Sequence, residues 1–223
     1  NGGSGLRPCG APVAVGERTL GATASALSLA SLSMGSIDAT LDDVAAQFLR
    51  VSTRWILVFH DCEIGDRWRH AFGDLYVRTG AWVKANPMPQ VSGDRPAAGF
   101  EPCTIAHAAR SSGRMRWNGG GRAAALTHAN SQTAERPDHP CPKPIALMLE
   151  LVADFTDRGE LVLDPFAGSG TTGVACLRLG RRCILIERDP KYAAVAIERM
   201  RAETQGLSLR DARAGQMSLL ESA

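Results

Sequence analysis

Residues 161 to 175, Leu-Val-Leu-Asp-Pro-Phe-Ala-Gly-Ser-Gly-Thr-Thr-Gly-Val-Ala, admit few local folds. An apolar run of strand type ends at Asp164. Gly168 and Gly170 follow, and without a Cβ they let the backbone bend sharply and approach a ligand closely. A helix then continues through Cys176 and Leu177 to Gly180, a natural stop, with Ser169 and Thr171 expected to cap its start. A strand, a glycine turn and a helix in this order point free N–H groups into the crevice beyond the strand end. An α/β fold with a binding crevice at this turn is the expectation.

The flanking segments fit that frame. Arg182 to Glu187 reads as a strand ending in an acid. Asp189 and Pro190 supply an N-cap and a first-turn proline, and Tyr192, Val195, Ala196 and Met200 mark the apolar face of the last helix. Upstream, Ile145, Met148, Leu149 and Val152 share a helix face, with Pro144 at the first helical position and Gly159 at the end. Trp55 to Phe59 is a continuous apolar run of the kind buried on both faces of a sheet. Leu41, Val44, Ala45, Phe48 and Leu49 form a helical stripe preceded by a capping box, Thr40 with Asp43. A short helix is expected from about Glu63 to Phe72. Tyr76–Lys84 and Phe100–His107 are strands too close for a crossover helix, so they predict a hairpin at one sheet edge.

Three segments stand apart. Residues 1–36 are rich in Gly, Ser, Ala and Thr and read as a flexible loop. Residues 108–138 carry Arg110, Arg114, Arg116, Arg122 and Arg136 against Glu135 and Asp138, an irregular basic insertion within a 37–204 domain. Residues 205–223 read as a polar tail with a short apolar patch from Met217 to Leu220.

The net charge of +2 is too small to argue for nucleic acid by itself, so local distribution carries that question. Six cysteines without a C-x-x-C pair favour reduced thiols in a cytoplasmic protein over a disulfide framework. His139 and Cys141 offer two ligands where a metal needs more, so no metal is expected. No apolar run approaches the roughly 18 residues of a membrane span.

Gly168-Ser169-Gly170-Thr171-Thr172-Gly173 matches G-x-G-x-x-G. Glu187 follows at the spacing of about 20 residues at which a carboxylate accepts hydrogen bonds from ribose hydroxyls. No lysine follows the glycines, which excludes a Walker-type phosphate loop. A nicotinamide or flavin dinucleotide needs its first glycine almost directly after the strand, whereas Asp164-Pro165-Phe166-Ala167 intervenes here. A carboxylate at Asp164 suits a cation better than a pyrophosphate. S-adenosylmethionine, with an ammonium and a sulfonium, is therefore the favoured cofactor, and an NAD-dependent oxidoreductase is the less favoured alternative.

At these residues the chain resembles a family. Asp164 to Thr172 looks like motif I of the DNA amino-methyltransferases that modify adenine N6 or cytosine N4. His139-Pro140-Cys141-Pro142-Lys143-Pro144 is similar to their motif X, with Pro142 where Gln is usual. Ile186 to Tyr192 resembles motif II, and Trp55 to Asp61 motif VI. Motif X directly before motif I, with other strands N-terminal to both, matches the β arrangement. The resemblance implies a Rossmann-like S-adenosylmethionine-dependent methyltransferase fold with a mixed central sheet. It implies that Asp164, Pro165, Phe166, Ala167, Gly168, Ser169, Gly170 and Thr171 line the cofactor site. Glu187 would bind ribose, Arg188 would lie beside adenine, and Lys143 and Pro144 would flank the methionine end. The segment before motif X often reads DNA in this family, which makes Arg114, Arg116, Trp117, Asn118 and Arg122 candidates for contact with double-stranded DNA. A homodimer is left open.

One departure qualifies these expectations. Motif IV, Asp-Pro-Pro-Tyr or Ser-Pro-Pro-Tyr, holds the flipped base in this family and is not found in the chain. No catalytic residue is therefore assigned. Because the chain begins at Asn1 rather than Met, it is expected to start downstream of a lost motif IV, and the sheet to lack two strands. The expected activity is site-specific methylation of DNA at an exocyclic amine, adenine N6 above all. The alternative is a catalytically incomplete fragment that binds cofactor or DNA.

Overall fold

A computed structural model of the chain describes residues 12–15, 40–109, 115–130 and 142–215. The strands are β1 (Pro12–Val15), β2 (Trp55–Phe59), β3 (Tyr76–Lys84), β4 (Phe100–His107), β5 (Ala125–His128), β6 (Leu161–Asp164) and β7 (Arg182–Leu185). The helices are α1 (Leu41–Val51), α2 (Gly65–Phe72), α3 (Ile145–Phe155), α4 (Thr171–Leu179), α5 (Pro190–Thr204) and α6 (Leu209–Arg213). The strands form one mixed sheet in the order β5-β3-β4-β2-β1-β6-β7. β1 and β4 run against their neighbours, and β3 pairs β5, and β6 pairs β7, in parallel. The C-terminal ends of β2, β3, β5, β6 and β7 therefore share one edge of the sheet. In α/β sheets that edge carries the binding crevice, because loops and helix starts converge there.

β2 shows why the sheet is covered on both faces. Trp55, Leu57 and Phe59 pack with Leu147, Met148, Leu151 and Phe155 of α3. Ile56 and Val58 alternate to the other side, against Leu41, Val44 and Phe48 of α1 and Trp68 and Phe72 of α2. The two-residue period of a strand thus feeds two cores, and each such buried side chain contributes about 1.5–3 kcal/mol.

Several expectations need correction. Residues 12–15, read as loop, form a strand bonded on both sides, to β2 and β6. Four residues are too few to show a period, and partners far along the chain supply the ladder. Among the described residues the sheet has seven strands, and the place between β2 and β6 is taken by β1 running antiparallel to both. The basic insertion is not wholly irregular, since β5 adds to β3 and becomes the edge, which moves the β3–β4 hairpin inward. Thr40 precedes α1 without a side-chain capping bond. Pro144 is the N-cap of α3 rather than its first helical residue, and α3 stops at Phe155, before Gly159. Within the expected C-terminal tail, Ser208 caps α6 by accepting the Asp211 N–H; Met217 to Leu220 lie outside the described residues.

Candidate functional site

The candidate site is the turn between β6 and α4, together with the end of β7. Asp164 ends β6 almost fully buried, at 2% exposure. Its Oδ1 accepts the Phe166 N–H at 3.1 Å, and its Oδ2 accepts the Thr172 hydroxyl at 2.5 Å. Burial pushes the Asp164 carboxyl up to about 6, while those two hydrogen bonds act in the opposite direction. Backbone pairing outlasts the formal strands: Ile186 N–H donates to Asp164 O at 2.9 Å and Ala167 N–H to Ile186 O at 3.0 Å. The turn therefore stays tied to β7 up to the residue before Glu187.

Gly168 (φ 52°) and Gly170 (φ 78°) have left-handed backbone, which explains why the turn needs glycine at both places. Gly170 is itself the N-cap of α4, and neither Ser169 nor Thr171 caps that helix, which corrects the expected role of both. Their hydroxyls meet Arg199 of α5 instead. Arg199 Nη1 donates to Ser169 O at 2.8 Å, Ser169 Oγ at 3.1 Å and Thr171 Oγ1 at 3.0 Å. Glu187 grips the other side, its Oε2 accepting the Gly168 N–H at 2.8 Å and its Oε1 the Asp189 N–H at 2.9 Å. Each carboxylate oxygen keeps a further lone pair for a hydroxyl of a ligand. A groove of about 510 Å³ borders Ala167 and Glu187 and is lined by Ile186, Ala196, Ile197 and Met200, an apolar wall beside one carboxylate. Pro165 is buried, and Phe166 packs against the α1–α2 core. Arg188 is exposed beside Glu187.

Lys143 and Pro144 precede α3 on the same sheet edge. Lys143 Nζ lies 2.7 Å from Glu101 Oε2, and 5.1 and 5.7 Å from the Phe59 and Trp82 rings. Lys84 holds the other oxygen of Glu101 at 3.1 Å. Burial pushes the Lys143 ammonium below its usual range, and Glu101 resists that shift. Glu101, Lys84 and Arg199 are site neighbours that the sequence reading missed. Arg199 had a signal, since it falls three residues after Ala196 on the inward face of α5. Glu101 had none, because its partner is 42 residues away.

The basic segment is folded onto α3. Asn118 Nδ2 donates to Ala153 O at 3.1 Å, Thr156 O at 2.8 Å and Asp157 Oδ1 at 3.2 Å, closing the helix end. Arg122 bridges Glu150, at 2.7 Å, and Asp154. Trp117 packs against Phe155 with ring centroids 6.2 Å apart. Arg116 pairs with Asp157 at 3.0 Å while its side chain stays 73% exposed. Asn118, Arg122 and Trp117 thus each engage α3 or its end, where carbonyls and acids lie in reach, while Asn118 and Arg122 stay exposed. Arg114 lies outside the described residues, as do His139 and Cys141.

The family model described as DNA methylase, of the N6/N4 methyltransferase type, matches residues 63–198. Type II methyltransferase M2.DpnII of Streptococcus pneumoniae is 45% identical over 67 residues, 30% of this chain and 25% of that protein. Type II methyltransferase M.HpaI of Haemophilus parainfluenzae is 35% identical over 88 residues, 40% of this chain and 28% of that protein. The matched stretches thus span about a quarter of these curated relatives. The crystal structure of the M1.HpyAVI–SAM complex is similar with a TM-score of 0.63 and 26% identity, covering 71% of this chain and 81% of that one.

Proposed function

The chain belongs to the N6/N4 DNA methylase family, and from that premise we propose that it binds S-adenosylmethionine at the β6–α4 turn and methylates an exocyclic amine of DNA, adenine N6 in the first instance. The observation that carries the reading is the buried Asp164 and the two-carboxylate-oxygen grip of Glu187 on either side of one left-handed glycine turn.

The residues suit the cofactor. Asp164 places negative charge where an ammonium or sulfonium can neutralise it. Glu187 offers acceptors for paired ribose hydroxyls. The groove beside Ile186 and Ile197 gives an apolar surface for a base. When bound, S-adenosylmethionine supplies an electrophilic methyl group on sulfur. The protein's part is to position that group and the amine in line and to exclude water. Double-stranded DNA is the proposed substrate, with a target base turned out of the stack, and the cytoplasm the proposed compartment. Arg116, 73% exposed, and Arg122, 51% exposed, are the described arginines of the basic segment open to phosphate.

A second reading rests on one observation: no Asp-Pro-Pro-Tyr or Ser-Pro-Pro-Tyr occurs in the 223 residues. In that reading the chain binds S-adenosylmethionine without turning over. Calorimetric titration with S-adenosylmethionine and with NAD tests the cofactor, and NAD binding alone would overturn the proposal. Transfer of a radiolabelled methyl group to duplex DNA separates the two readings: incorporation supports catalysis, and binding without incorporation supports the second.

A further inference from the structure

The inner face of α5 is shaped to the β6–α4 turn along its length. Asp189, ahead of the helix, is tied to Glu187, and Glu187 takes the Gly168 N–H. Two turns further, a Cβ on Gly170 would lie 2.9 Å from Ala196 Cβ and 3.1 Å from Ala196 Cα. Arg199 then reaches Ser169 and Thr171, and Met200 presses on Gly173, where a Cβ would stand 2.6 Å from its sulfur. Ala196, Arg199 and Met200 are spaced i, i+3 and i+4, one stripe of one helix. The turn is therefore held by a carboxylate at its first glycine and by a guanidinium at the serine and threonine that follow.

We propose that Arg199 is a positioning residue for the cofactor, acting through Ser169 and Thr171. One nitrogen of Arg199 donates to three oxygens, so both hydroxyls serve it as acceptors. A hydroxyl that accepts from a guanidinium turns its own hydrogen away from it and toward an outside acceptor. The carbonyl of Ser169 is held by the same nitrogen, which limits rotation of the peptide between two left-handed glycines. Arg199 thus presents two oriented O–H donors and a fixed backbone to the ligand without touching it. This rests on the cofactor reading above and goes beyond it, because no part of that reading needs an arginine in α5.

The test compares Arg199→Ala, Arg199→Lys, Ser169→Ala/Thr171→Val and the combination of Arg199→Ala with both. S-adenosylmethionine affinity is measured by calorimetry, folding by circular dichroism, and amide exchange at Gly168 and Gly170 by NMR. Expected is a loss of affinity of about tenfold in Arg199→Ala, with recovery to within about threefold in Arg199→Lys, whose ammonium can replace a single-nitrogen donor. The combined variant should bind no more weakly than Ser169→Ala/Thr171→Val, because without those hydroxyls Arg199 has nothing to act through. Exchange at Gly168 and Gly170 should quicken in Arg199→Ala. Unchanged affinity with unchanged exchange, or strictly additive losses, would overturn the proposal. Should Arg199→Ala not fold, Arg199→Lys and the hydroxyl variants decide it, and full loss in Arg199→Lys would count against it. Should the wild-type chain bind no S-adenosylmethionine, the cofactor reading fails, and exchange alone decides whether Arg199 fixes the turn.

Discussion

Asp164 and Thr172 form a buried carboxylate–hydroxyl pair, 2.5 Å apart, across the turn that joins β6 to α4. The pair links the last residue of a strand to the second residue of the next helix. It also keeps a carboxylate where water is scarce, and four predictions begin from such local arrangements.

If Asp164 faces the cofactor as proposed, its carboxyl, raised to about 6 by burial, should make binding depend on pH. Attraction for a cation needs the ionised form, so S-adenosylmethionine affinity should fall as pH drops below about 6. The stability effect has the opposite sign. A carboxyl with a folded pKa above its unfolded value of 3.8 binds protons more tightly in the folded state, so its contribution declines as pH rises from about 4 to about 6. Asp164→Asn keeps the shape, since its amide can donate to the Thr172 oxygen. Titration from pH 5 to 8 should show weaker, pH-flat binding for this variant, and a slope equal to wild type would refute the assignment.

Gly170→Ala should destabilise the fold by about 2–3 kcal/mol. The left-handed backbone at φ 78° costs roughly 1–2 kcal/mol with a Cβ, and that atom also presses on the Ala196 backbone. Urea denaturation measures this, and a change under 0.5 kcal/mol would contradict the packing described.

The ion pair of Lys143 with Glu101 should be asymmetric. Glu101→Gln leaves a buried ammonium without its counter-charge and should cost about 3–5 kcal/mol. Lys143→Met leaves Glu101 its second partner, Lys84, and should cost less. Adding Lys143→Met to Glu101→Gln should restore part of the loss, as denaturation midpoints will report.

Asn118 and Arg116 should separate structure from DNA contact. Asn118→Ala should lower stability by about 1–2 kcal/mol, since three acceptors at the end of α3 lose their donor. Its DNA affinity per folded molecule should be unchanged. Arg116→Ala should leave stability nearly unaltered, as expected for an exposed pair. It should reduce DNA affinity and the salt slope by about one phosphate contact. Fluorescence anisotropy over a salt series distinguishes the two, and equal salt slopes for Arg116→Ala and wild type would remove Arg116 from the interface.

Much of the fold was legible because its signals are local. β2, β3 and β4 were read with the bounds they have, since apolar and β-branched runs are closed off by breakers such as Asn86-Pro87. The Asp189–Pro190 helix start was legible for the same reason, and the Asp189 side chain accepts the Lys191 N–H as a cap should. β1 and β5 were not legible. Each has four residues, and each is a strand only because a longer neighbour offers a ladder. In the basic segment, arginine and asparagine look alike in sequence whether they meet phosphate or a helix end. For Asn118 and Arg122 the structure adds carbonyls and acids of α3 within reach, contacts that the sequence does not announce.

By itself the sequence determined the strand–turn–helix unit and its two acids. Glycines at left-handed positions, a strand-ending aspartate and a capped following helix are constraints between residues close in the chain. Only the tertiary structure decided what holds that unit in place. Arg199 lies 28 residues beyond Thr171, Glu101 lies 42 residues before Lys143, and β1 reaches both β2 and β6 from near the chain start. Such contacts depend on how helices and strands pack. A side chain that closes a hydrogen bond across 30 residues leaves no periodic trace in its own neighbourhood.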